Sequence, residues 1–167
     1  MKKTVHLVLW SVLLIAFDQW TKHMAQTGLT KPIPLIRGVF ELQYVENQGA
    51  AFGILQNKLW LFIVFTLIML CVLGYLYYKT PAEKGFGWIR LALILIISGA
   101  IGNLIDRVLR RYVVDFLYFC LIDFPVFNVA DSYVVVGCCL FVLLYFVQKK
   151  QVIQVLENLE KKEKSSE

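Results

Sequence analysis

The sequence predicts an α-helical membrane protein of four transmembrane helices, with both termini cytoplasmic and a small extracytoplasmic region that contains β-strand. Three observations carry this. Of 167 residues, 59% are hydrophobic and 17% charged, against roughly 45–50% and about 25% in soluble domains. The mean hydropathy is +0.66. Four stretches approach the roughly 20 apolar residues that a bilayer crossing requires.

The first stretch runs from Val5 through Phe17 and must continue past Asp18 toward Ala25 to be long enough. Lys2 and Lys3 ahead of it give it the look of a secretory signal, but no small-x-small cleavage site follows, so it reads as a retained helix. The second, Leu59 to Tyr78, carries no charge. The third runs from Trp88 to Ile105 with Arg90 at its start, and the fourth from Val129 to Val147. With the termini inside, ten Lys and Arg fall on the inner side and seven on the outer, the latter spread over nearly twice as many residues. That bias sets the orientation, although Arg107, Arg110 and Arg111 on the outer side count against it. Trp20 and Trp60 then lie at the outer interface.

Between the first two spans, in an insert of about residues 26–57, Phe40, Leu42 and Tyr44 alternate with Glu41 and Gln43, the pattern of a half-buried strand. Pro32 and Pro34 keep its lead-in extended. Residues 1–150 thus read as one transmembrane domain and 151–167 as a cytoplasmic charged tail. In that tail Val152, Val155, Leu156 and Leu159 have amphipathic helical spacing.

Several function classes are excluded at this level. Twelve Phe, eight Tyr and four Trp argue against disorder. The net charge of +5 is dispersed along the chain and does not suggest nucleic acid. Cys71, Cys120, Cys138 and Cys139 form no disulfide framework or C-x-x-C pair and read as reduced, packed thiols. His6 and His23 make no ligand pair, so neither a metal nor a cofactor is expected.

Ionisable groups in membrane spans are costly and count as functional candidates, and here they gather at one depth. Asp18, Asn103, Asp106, Asn128 and Asp131 all fall near the outer boundary, with Asp115 in the apolar run joining the last two spans. Gly99, Gly102, Asn103 and Asp106 give the third span one small, polar face, with Arg107 beside it. The glycines serve equally well as a helix-packing face. Asp18 and Lys22, one turn apart, read as a structural pair, and Asp106 and Arg107 as interfacial charges. Asp115 and Asp131 read from spacing first as surface or capping carboxylates, and second as a pair for acid–base chemistry.

The ordered blocks Asp18-Gln19-Trp20-Thr21-Lys22, Asn47-Gln48-Gly49-Ala50-Ala51-Phe52-Gly53, Gly99 to Arg107, Val113-Val114-Asp115-Phe116 and Phe127-Asn128-Val129-Ala130-Asp131 resemble those of the bacterial lipoprotein signal peptidases, signal peptidase II. Ser98 and Arg111 depart from the family pattern, which has glycine at both places. The resemblance implies an intramembrane aspartic endopeptidase that removes the signal peptide from diacylglyceryl-modified prolipoproteins, cutting before the lipidated cysteine. It implies Asp115 and Asp131 as the catalytic dyad, with Asp18, Asn47, Asn103, Arg107 and Asn128 in substrate-binding or supporting roles. It places the protein in the bacterial cytoplasmic membrane among lipid, with its active site on the extracytoplasmic side, as a monomer and with no nucleic-acid partner. The competing readings are a small proton- or ion-coupled carrier, which intramembrane carboxylates would also suit, and a non-catalytic docking partner.

Overall fold

The computed structural model describes residues 2–49, 59–83, 85–147, 149 and 153. The proposed tail helix, and the Ala50 to Gly53 part of the second motif block, lie outside the described residues. Four helices form the frame: α1 (Lys2–Gly28), α2 (Leu59–Lys79), α3 (Gly87–Leu109) and α4 (Val129–Val147). Each is long and apolar enough to cross a membrane. The third is the hub, because it packs against the other three. Half of its central window is buried, against 11%, 6% and 17% for α1, α2 and α4. The wide apolar faces of those three, including Leu9, Trp10, Phe65, Val142 and Phe146, point outward, as helices whose solvent is lipid should arrange them.

Small residues set the α3–α4 spacing. A Cβ on Gly99 would stand 2.3 Å from the Ala130 carbonyl oxygen, and one on Gly137 2.7 Å from Ile96 Cγ1. Ser98, noted above as a departure from the resemblance, is fully buried and donates to the Ile94 carbonyl oxygen at 2.6 Å. Its hydroxyl is satisfied within its own helix, so the departure leaves no buried polar group unpaired. The hydrophobic core of the bundle includes Leu73, Tyr77, Ile89, Leu93, Ile97 and Leu144.

At one end of the bundle lies a three-stranded antiparallel sheet in the order β1 (Ile33–Ile36), β2 (Phe40–Asn47), β3 (Val113–Tyr118). The strand expected at residues 40–45 is β2, and the proline-bearing lead-in is the edge strand β1, where a missing N–H costs least. β3 was not apparent from the sequence: Val113 to Phe116 are buried on both faces, so no polar alternation marks them. After a short 3-10 turn at Cys120–Ile122, Phe127 pairs with Leu117 and leads into α4.

The cysteines are free, as expected, but Cys71, Cys138 and Cys139 face outward and are not packed in the core.

Candidate active site

Two elements deliver the two carboxylates. Asp115 is the third residue of β3 and is 2% exposed. Asn47, at the end of β2, sits opposite Val113 in the register and donates diagonally to Asp115 Oδ2 at 2.8 Å. Asp131 lies in the first turn of α4, whose cap is Asn128. The Asn128 Oδ1 accepts the Asp131 N–H at 2.9 Å, while Asp131 Oδ2 accepts the Asn128 N–H at 3.1 Å. This is a reciprocal capping box, so the capping role considered for Asp131 is real and occupies only one carboxylate oxygen.

Asn128 also ties the two acids together. Its Nδ2 donates to Asp115 Oδ1 at 2.6 Å and to Asn103 Oδ1 at 3.1 Å, and Asn103 Nδ2 donates to Asp131 Oδ1 at 2.7 Å. Each carboxyl oxygen therefore accepts one N–H. Burial, and secondarily the charge of Asp131, push the Asp115 carboxyl up to about 7, against the lowering effect of the Asn47 and Asn128 donors.

Both acids face a cavity of about 550 Å³. Its polar wall holds Asn47, Asn103, Arg107, Asp115, Asp131 and Ser132, and its apolar wall holds Phe124, Pro125, Val126, Phe127, Val135 and Val136. Val135 and Val136 are 60% and 56% exposed on the outer face of α4, so the cavity opens sideways toward the lipid-facing surface. Arg107 donates to its own-helix carbonyl at Asn103 over 3.4 Å, and its guanidinium lies 5.1 Å from the Phe62 ring centroid. That contact holds a cation at the cavity without binding it to either acid.

Of the residues singled out in the sequence, Asn47, Asn103, Arg107, Asp115 and Asp131 line the cavity, and Asn128 lies buried behind them. Asp18 does not reach the cavity. It is fully buried against α4, where its Oδ1 accepts the Ala130 N–H at 2.9 Å.

Sequence reasoning undervalued four neighbours. Asp106 is not interfacial but fully buried, and its Oδ2 accepts the Val114 N–H at 3.2 Å. Lys22 is likewise fully buried; it pairs with Asp18 as expected, at 2.9 Å, but also with Asp106 at 3.0 Å and Asn103 Oδ1 at 2.8 Å. Gln19 donates to both Asp18 and Asp106, and Arg110 pairs with Asp106 from a quarter-exposed position. The available signal was the cost of each charge alone: several ionisable residues in apolar spans must find partners on other helices.

Known proteins resemble this chain in sequence and in fold. The family described as Signal peptidase (SPase) II matches residues 10–147. A lipoprotein signal peptidase of Clostridioides difficile is 48% identical over 143 residues, covering 83% of this chain and 95% of its own. Those of Streptococcus thermophilus and Halothermothrix orenii are each 46% identical, over 81% and 83% of this chain and 89% and 94% of theirs. Two solved bacterial membrane enzymes obtained by the in meso method superpose with TM-scores of 0.74 and 0.73, at 33% and 35% identity. The first covers 86% of this chain and 88% of its own, the second 83% and 90%. With four membrane-length helices, a three-stranded sheet at one end and a match spanning most of its length, the chain belongs to the signal peptidase II family of aspartic proteases.

Proposed function

We propose that this signal peptidase II cuts a diacylglyceryl-modified prolipoprotein at the bond before the lipidated cysteine, with Asp115 and Asp131 as its two working carboxyls. The observation that carries the reading is the placement of both acids on the polar wall of one laterally open cavity, each hydrogen-bonded to the same residue, Asn128.

Two carboxylates about 4 Å apart repel by roughly 4 kcal/mol at an effective dielectric near 20, so near neutral pH such a pair holds one proton between them. Asp115, raised to about 7, carries it. With the proton placed on Asp115, Asp131 is the ionised partner, and its charge is received by the N–H groups of Asn103 and the Asn128 backbone. It takes a proton from a water as the water oxygen bonds to the scissile carbonyl carbon, while Asp115 gives its proton to the carbonyl oxygen. When the C–N bond breaks, the proton on Asp131 passes to the departing amine, and the hydroxyl formed from the carbonyl oxygen returns its proton to Asp115 as the C=O closes again. The products are a signal peptide with a new carboxylate and a lipoprotein with a free cysteine amine.

Asn47 and Asn103 present amide groups that can hydrogen-bond a peptide backbone without adding charge. Arg107, parked on Phe62 and unpaired with either acid, is free to draw the substrate carbonyl. The apolar wall suits the signal peptide's hydrophobic segment, and the opening beside Val135 and Val136 lets acyl chains remain in lipid. In this reading the termini are cytoplasmic, the sheet and site are extracytoplasmic, and one chain acts alone.

A carrier would place its carboxylates near the bilayer midplane, whereas these lie at the sheet end of the bundle, and no comparison favours transport.

The test is product mass. The purified chain in lipid, given a synthetic diacylglyceryl-prolipoprotein, is expected to release a fragment beginning with the lipidated cysteine, and to cut the unlipidated peptide at least about 100-fold more slowly. Cleavage at another bond, or an inert purified chain, overturns the reading.

A further inference from the structure

The two acids are bracketed in the same manner from behind. Ala130, just before Asp131, has its N–H held by Asp18 Oδ1; Val114, just before Asp115, has its N–H held by Asp106 Oδ2. Both bracketing carboxylates converge on one ammonium, Lys22 Nζ, at 2.9 and 3.0 Å. The third N–H of that ammonium goes to Asn103 Oδ1 at 2.8 Å. All three donors are used and none of the group is exposed.

We infer that Lys22 is a positioning residue for the reaction: as common anchor of the Asp18 and Asp106 brackets it sets how Asp115 and Asp131 face each other, and it fixes which way Asn103 points. This inference rests on the dyad reading above. The Asn103 argument is one of charge. With its oxygen accepting from both Lys22 and Asn128 Nδ2, the amide must turn its NH2 toward Asp131 Oδ1. The flipped rotamer would press NH2 against an ammonium and an oxygen against a carboxylate. A helix staple between positions 18 and 22 would need only their own pairing, on any face. This lysine reaches instead across to α3, joining the segments that carry both acids. Arg110 cannot substitute, since among the described residues it bonds Asp106 and Gln19 but neither Asp18 nor Asn103, and it is partly exposed.

Removing Lys22 alone leaves Asp18 without its ion-pair partner and Asp106 paired with Arg110 among the described residues. The discriminating variant is therefore the double Asp18→Asn/Lys22→Met, which restores neutrality to the buried cluster. It is compared with Asp18→Asn alone, all as full-length chains in lipid and assayed on a diacylglyceryl-prolipoprotein. The expected result is a double variant that unfolds within a few degrees of the parent chain, with kcat at least about tenfold below Asp18→Asn and KM changed less than threefold, because misplacement of reacting groups acts on the chemical step. Equal kcat in the double and the single variant overturns the inference. So does a double variant that fails to fold, since Lys22 would then be a staple of the bundle, and so does a loss confined to KM. Asp115→Asn, run in parallel, separates the two levels: if it keeps full activity the dyad reading itself has failed.

Discussion

At the scale of single residues, the site is defined by where hydrogen-bond donors end. Asp115 is held by Asn47 and Asn128, both of which favour its ionised form, against burial and the Asp131 charge, which oppose it. If Asp115 supplies the proton, the alkaline limb of the rate profile falls as pH rises through about 7, and an acid limb appears at lower pH where Asp131 takes up a proton. Replacing Asn47 with Leu removes one of the donors that lower Asp115, so the alkaline limb of the rate profile moves to higher pH while the overall rate falls. An unmoved limb would mean that another group controls it. Arg111 makes a second case. Its φ of +71° lies in the left-handed region, which glycine adopts freely and where arginine carries a backbone cost. Arg111→Gly is expected to stabilise the protein by about 1 kcal/mol, read as a rise in thermal unfolding temperature with cleavage retained.

At the scale of elements, the helices were legible because hydropathy alone marks them. The fourth was expected at Val129–Val147 and is found there, and the second extends only one residue past Tyr78. The third runs beyond the expected Ile105 to Leu109, because Asp106 turns inward to Lys22 and Arg110 and so does not end the helix. The candidate dyad and the polar residues Asn47, Asn103 and Arg107 of its cavity were legible as motifs, but the apolar wall and the mutual contacts were not. Nothing in linear spacing says that Asn128 reaches Asp115 or that Asp18 supports α4 from behind, since those contacts arise from the α1–α3–α4 packing. That packing depends on glycine. A Cβ on Gly99 would meet the Ala130 backbone at 2.3 Å, and one on Gly102 would meet Asp18 Oδ2 at 2.6 Å. Gly99→Ala is therefore expected to cost about 1–3 kcal/mol and to reduce cleavage, as α4 with Asp131 is pushed aside. Gly74→Ala, with nothing within 4 Å of the added carbon, should gain up to about 1 kcal/mol from helix propensity alone. Thermal unfolding of the two variants in one detergent makes the comparison.

At the scale of the whole molecule, the bundle confines polarity to one end and leaves the rest to lipid. The orientation proposed from the lysine and arginine bias predicts a simple labelling pattern. In a chain cleared of native cysteines, Lys31→Cys should react with an impermeant maleimide on intact cells, and Glu83→Cys only after permeabilisation. The reverse pattern would put the site on the cytoplasmic side. The same confinement suits the proposed lipid-anchored substrate: the cavity's polar wall is hydrogen-bonded in place, and its apolar wall runs to the outward-facing Val135 and Val136. The most direct measurement of the central claim is single-turnover cleavage of a diacylglyceryl-prolipoprotein by Asp115→Asn and Asp131→Asn in bilayers. Each variant should bind substrate and stay folded while its rate falls at least about 10³-fold; a rate above one tenth of the parent's in either would contradict the account.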